Sequence, residues 1–198
     1  MEYIERLNKI VDNSYEILCS KIAGGQISIV NEASLQLQFG VILAQLGKLY
    51  EFSPEDRFSI SLESVQEIKE TTKSKRGSAR CDIMLYFSNN TTTISLAIEL
   101  KCFLKSKNAE TITSNRYSVY KDLENLENYD SNGGYEVVYT NNENYSNPDS
   151  KSKIPLGDKM KIKKILDDKH HIELRNEYEL HWDSFENKHY FLKVKVQK

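Results

Sequence analysis

Residues 81–103, CDIMLYFSNNTTTISLAIELKCF, constrain the chain more tightly than any other stretch. Two apolar runs rich in Ile, Leu, Phe and Thr flank Asn89-Asn90-Thr91, which is the pattern of a β-hairpin. If the hairpin folds about Asn90-Thr91, residues that face one another have numbers summing to 181. Ile83, Leu85 and Phe87 then share one strongly apolar face with Ile94, Leu96, Ile98 and Leu100. Asp82, Met84 and Tyr86 share the other with Ser95, Ala97, Glu99 and Lys101. A slip of one residue would mix the two sets, so the pattern itself specifies the register.

This register places Asp82 directly across from Glu99. Facing side chains have Cβ atoms about 4.5 to 5.5 Å apart, and like charges there are destabilising. At roughly 4 Å and an effective dielectric near 20, two carboxylates repel by about 4 kcal/mol, less if the side chains splay. A divalent cation removes the difficulty: a hard ion such as Mg²⁺ takes carboxylate oxygens and keeps several waters, leaving room for a phosphate. Lys101, on the same face, lies about 6.7 Å beyond Glu99 along the strand, so its ammonium can approach a phosphate or an attacking water. The competing reading is a solvated sheet surface on which Lys101 neutralises one acid. Small residues at the centre of this face, Ser95 and Ala97, suit coverage by a helix or a substrate better. Residues 69–80, KETTKSKRGSAR, carry five basic residues and one acid, and this loop with Lys73, Lys75, Arg76 and Arg80 enters directly at Asp82.

Around the hairpin the periodicity changes. Ile4, Leu7, Val11, Tyr15, Leu18 and Ile22 form a helical stripe over about 2–22, closed by Gly24-Gly25. Asn31 is a good N-cap for a second helix, whose Leu35, Phe39, Ile42, Leu46 and Leu49 predict a buried stripe, with Glu32 and Gln36 one turn apart beside it. Alternation in 57–65 predicts a strand that buries Phe58, Ile60 and Leu62. Beyond the hairpin, Tyr120, Leu123 and Leu126 predict a helix from Ser114, Asn132-Gly133-Gly134 ends it, and YEVVYT over 135–140 reads as a strand. Residues 156–168 are expected to be helical, while IELRNEYELHW and YFLKVKV read as strands. The expected fold class is α/β: a mixed central sheet flanked by helices in the order αβββαβ, with an N-terminal helix and a C-terminal extension.

A length of 198 residues suits a single domain over 1–198, with a core of about 28–141 and an extension over 142–198. The amino-terminal stripe is neither a signal peptide nor a membrane span, so no membrane association is expected. Cys19, Cys81 and Cys102 form no CxxC pair and are odd in number, which points to reduced thiols in a cytoplasmic protein. The four histidines pair with no cysteine at zinc spacing, and Gly24-Gly25 and Gly133-Gly134 are turns and not a phosphate cradle. A formal net charge of −2 does not by itself suggest nucleic acid. Its distribution is more informative, because residues 151–164 carry six basic residues and one acid while acids concentrate over 122–149. Either basic run alone is also compatible with a solvated loop.

Asp82, a seventeen-residue step, then Glu99-Leu100-Lys101, with an acid-bearing helix before and a helix and strand after, resembles the PD-(D/E)xK nuclease superfamily of restriction-endonuclease-like proteins. The resemblance covers roughly residues 28–141; Cys81 stands where the motif's name has proline. It implies that Asp82, Glu99 and the Leu100 carbonyl bind Mg²⁺, for which Mn²⁺ should substitute, that Lys101 assists the water nucleophile, and that Glu32 completes the catalytic set. It also implies that the helix after the motif borders the site, bringing Arg116 and Lys121 toward phosphate alongside Lys75, Arg76 and Arg80 of the basic loop. The expectation is a Mg²⁺-dependent endonuclease that hydrolyses DNA phosphodiester bonds, restriction or defence related. Cutting both strands needs two sites, which a homodimer supplies. Three alternatives stay open: a noncatalytic nucleic-acid-binding or assembly subunit with the same fold, a nuclease for RNA or for damaged or branched DNA, and a soluble protein-interaction domain with no nucleic acid.

Overall fold

The computed structural model describes residues 2–68, 77–104, 109–149, 152–166 and 170–198. The amino-terminal stripe folds into α1 (Tyr3–Ala23), burying Leu7, Val11, Tyr15, Leu18 and Ile22. Asn31 caps α2 (Glu32–Leu49) by accepting from the Ser34 N–H at 2.8 Å, as its side chain is built to do. The stripe of α2 is shifted from the expected one. Leu35, Phe39, Ile42 and Leu43 are buried, whereas Leu49 is 70% exposed. Gly47 is buried on the shifted face: a Cβ there would collide with the Phe58 ring, so the aromatic packs directly on the helix backbone on that side, while Leu49, about 200° around the helix, is left outside.

The hairpin pairs β2 (Ser78–Ser88) with β3 (Thr93–Phe103), from Ser88↔Thr93 to Ile83↔Ile98, in the expected register. Asn89 closes the turn, its Oδ1 accepting from the Thr91 and Thr92 N–H groups at 2.9 Å each. Ahead of the hairpin, β1 (Arg57–Glu67) pairs antiparallel with β2; it buries Phe58, but Ile60 only partly, and leaves Leu62 exposed. From β3 the chain crosses through α3 (Ala109–Asn128), which starts more than a turn before Ser114, and returns as β4 (Gly134–Thr140), parallel to β3. All seven residues of β4 are buried.

The C-terminal region is more than an extension. Its β8 (His189–Val196) pairs with β4 and its β7 (Trp182–Phe185) with β8, so the mixed sheet among the described residues runs β1-β2-β3-β4-β8-β7. Helices α1 and α2 cover one face over Ile83, Leu85, Phe87, Leu96, Ile98 and Leu100. Helix α3 and a separate hairpin, β5 (Lys161–Leu166) with β6 (His171–Glu179), cover the other over Met84, Ala97 and Val138. Ala97 is therefore small because a helix lies on it.

Residues 161–166 form a strand where a helix was expected. The spacing of Ile162 and Ile165, both buried, imitates a helical stripe, but a register shift between Ile162 and Lys164 lets both face inward from a strand. Lys161 forms an ion pair with Glu177 at 3.7 Å and Lys164 stands opposite Glu173, so two lysines of the basic run meet acids of the partner strand.

Candidate active site

Beyond Ile83↔Ile98 the two strands of the hairpin part. Residues 78–81 of β2 continue along β1, with Cys81↔Ser64 to Ser78↔Glu67, and residues 99–103 of β3 continue along β4, with Glu99↔Glu136 to Phe103↔Thr140. The sheet forks at Asp82 and Glu99. Side-chain alternation also breaks there: Ala79 and Cys81 pack on the α3 side together with Met84, while Ile83 packs under α1 and α2. In β1, Glu63, which falls between the pairs Leu62↔Ile83 and Ser64↔Cys81, has a left-handed backbone with φ of 52°. The register is the same on either side of it, so the ladder is interrupted at this one position, opposite Asp82, without an inserted residue.

The expected pairing thus stops one step short of Asp82 and Glu99, and the two acids are not ladder partners. Asp82 turns into the fork, where its Oδ2 accepts the Leu100 N–H at 2.7 Å, satisfying a strand donor that β2 no longer reaches. Gln36 of α2 donates to the Asp82 carbonyl at 2.8 Å and to Glu63 Oε1 at 3.1 Å, tying the helix to the same point. Glu99 points to the α3 side, is buried, and accepts a short hydrogen bond from the Tyr129 hydroxyl.

Lys101 enters between the two helices. Its Nζ lies 2.8 Å from Asp122 Oδ2 on α3 and 3.6 Å from Glu32 Oε2 on α2, and donates to the Leu100 carbonyl at 2.8 Å. The side chain is 12% exposed, and Asp122 is fully buried. Burial alone would lower the pKa of this ammonium; the fields of Asp122, Glu136 and Glu32 more than offset that and hold it above the usual lysine range. Glu32 keeps 47% of its side chain open. Its pKa is nevertheless raised, first by crowding against the protein, against which Lys101 and a bond from the Cys102 backbone pull it down while Asp82 and Asp122 push it further up. Burial, reinforced by Glu32, pushes the Cys102 thiol up to about 12, so it is no nucleophile at neutral pH.

Asp82, the Leu100 carbonyl, Lys101 and Glu32 are thus brought to one place, with Glu99 on its inner side. Three residues that the sequence reading did not single out complete it: Asp122, Tyr129 and Glu136. One sequence signal hints at them: Glu136 interrupts the apolar strand YEVVY, which marks a buried acid without saying what it meets, whereas the burial of Asp122 in α3 and of Tyr129 just past its end is a property of the fold. The residues expected to meet phosphate scatter. Lys75 and Arg76 lie outside the described residues. Arg80 is 66% exposed and pairs with Glu63 at 3.7 Å, close to the fork. Arg116 is a correction in kind: it is buried, and its guanidinium donates to the carbonyls of Ile154 and Asn144 at 2.8 and 2.6 Å, pinning a loop to α3 and not facing a ligand. Lys121 stacks on Tyr117, 5.1 Å from the ring centroid, and that ring meets His170.

The donors at the fork are carboxylate and carbonyl oxygens, the kind a hard divalent cation takes, so the set fits Mg²⁺ in donor type and charge. Among the described residues no group of three or more His, Cys, Asp and Glu stands ready to hold an ion as placed. The Lys101 ammonium is the cation about which Leu100 O, Asp122 and Glu32 are gathered. Among the described residues no helix is long and apolar enough to cross a membrane. Comparison with protein families, with curated proteins and with solved structures finds no match to this chain.

Proposed function

We propose that the chain is a metal-dependent nuclease with a restriction-endonuclease-like core, cutting DNA phosphodiester bonds at the fork between β2 and β3. The observation that carries this reading is the fork itself, which gathers Asp82, the Leu100 carbonyl, Lys101 and Glu32 where two strands separate between two helix-covered faces. Asp82, Glu99 and the Leu100 carbonyl would hold Mg²⁺ or Mn²⁺, with Glu32 completing the set from the start of α2. When bound, the ion supplies Lewis-acid polarisation of a phosphoryl oxygen. Lys101 presents a fixed positive charge to the phosphate as negative charge develops on it, and its ammonium form is kept by the surrounding carboxylates. Arg80 at the mouth offers a further phosphate contact, and two copies of the chain would cut both strands of a duplex.

The test is incubation of purified protein with supercoiled plasmid, linear and branched DNA, and RNA at low salt, with Mg²⁺, Mn²⁺ or a chelator. Nicking or linearisation that needs the metal and disappears in Asp82→Asn is the expected result. That variant keeps an oxygen for the Leu100 N–H, so loss of cutting would not stem from a lost fold. Intact substrates throughout, or full activity in Asp82→Asn, would overturn the reading.

A further inference from the structure

A lysine side chain is long and flexible, and an ammonium at the mouth of a fork has many directions open to it. Here three oxygens limit Lys101 Nζ: Asp122 Oδ2 and Leu100 O at 2.8 Å each, and Glu32 Oε2 at 3.6 Å. Two of these are the oxygens that the nuclease reading assigns to the reaction. Glu32 is moreover half-exposed in the first turn of its helix. Asp122 differs from both. It is fully buried in α3, among Val119, Tyr120, Leu123 and Leu126 of the core on that face. Seven residues further along, directly after the last residue of α3 and still bonded to its last turn through the Asn125 carbonyl, Tyr129 bonds to Glu99. Helix α3 and the residue that follows it therefore touch both members of the Glu99-Leu100-Lys101 triplet that face them.

We propose that Asp122 is a positioning residue, the fixed anchor that aims the Lys101 ammonium at the mouth of the fork where a phosphodiester is cut. The proposal rests on the nuclease reading of this site and adds to it the partner that holds Lys101 while Leu100 O and Glu32 serve the reaction. Asp122→Asn keeps the shape and removes the charge of the anchor. Glu127→Gln is the matched control: it is another buried acid of α3, but its carboxylate accepts from the Arg175 and Asn176 N–H groups and the Tyr178 hydroxyl on β6, away from Lys101.

Two measurements are made on each protein. Amine acylation followed by mass spectrometry reads how firmly Lys101 is held, independently of any cleavage, with the exposed Lys161 as internal reference. Steady-state cleavage of plasmid with Mg²⁺ separates kcat from KM. In the unaltered protein Lys101 acylates far more slowly than Lys161; equal rates would overturn the proposal even if no variant folds. In Asp122→Asn, Lys101 acylates several-fold faster, and kcat falls on the order of 10- to 100-fold, as a misaimed reacting group produces, with KM unchanged. Glu127→Gln shows neither effect. Unchanged acylation, undiminished kcat, or the same changes in Glu127→Gln would overturn the role of Asp122. Absence of cleavage by the unaltered protein overturns the nuclease reading and the role that rests on it; failure of the anchor alone appears as cleavage that survives Asp122→Asn.

Discussion

At Lys101 one ammonium faces Asp122 at 2.8 Å and Glu32 at 3.6 Å, within the field of Glu136. Removing it would leave buried carboxylates without their cation, so Lys101→Ala should cost about 3–5 kcal/mol of stability, the penalty for breaking a buried pair from one side. Urea unfolding checks this, and a midpoint equal to that of the unaltered protein would show that water already compensates these acids. A second site responds to pH. The carboxylate of Asp56 accepts from the Tyr3 hydroxyl at 2.7 Å, from Arg6 at 2.6 Å and from the Phe52 and Ser53 N–H groups. These bonds, that of Tyr3 foremost, hold its pKa down to about 2. Unfolded aspartate titrates near pH 4, so the stabilisation is complete above about pH 4 and is lost as pH falls toward 2. Acid unfolding of Asp56→Asn should accordingly lack this part of the transition; identical acid profiles would exclude Asp56 as a contributor. The candidate residues Asp82, Glu99 and Lys101 were picked out from the chain by their order and sequence spacing, although the facing of Asp82 and Glu99 expected from the hairpin register does not form. Asp122 and Glu136 could not be, since nothing local says which helix face or neighbouring strand will meet Lys101.

Between elements, close approach decides the geometry. Gly47 lets the Phe58 ring lie on the α2 backbone, and a methyl group there has no room. Gly47→Ala should therefore destabilise by about 1–3 kcal/mol despite alanine's better helix propensity, because overpacking outweighs the propensity gain of up to about 1 kcal/mol. A raised melting temperature in that variant would mean that the helix and β1 can separate at little cost. The pairing of β2 with β3 was legible because one face is apolar throughout and a slip would bury charge. Its end was not legible. Where the strands part depends on β1 and β4 competing for the same backbone groups, and both lie distant in sequence from the point of competition. The strand at 161–166 was misread for a related reason: a shift in pairing with β6 puts Ile162 and Ile165 on one side, and a register shift belongs to the pair of strands, not to either one.

Across the whole molecule, β4 lies between β3 and β8 and under helices on both faces, with every residue buried. Its amides should exchange with deuterium most slowly, while those of the edge strands β1 and β7 exchange faster through local opening. Hydrogen–deuterium exchange read by mass spectrometry checks this, and a β4 as labile as β1 would mean that the C-terminal strands do not stay on the sheet. The chain by itself determined most of the local elements and the two faces of the hairpin, and it singled out Asp82, Glu99 and Lys101 as candidates, because periodicity and spacing are properties of neighbouring residues. Only the tertiary structure decided that β8 and β7 extend the main sheet, that the hairpin opens at Asp82, and that α3 brings Asp122 and Tyr129 to Lys101 and Glu99. Those outcomes come from segments far apart in sequence that satisfy one another's buried hydrogen bonds and charges, and that need is written in no single stretch of the chain.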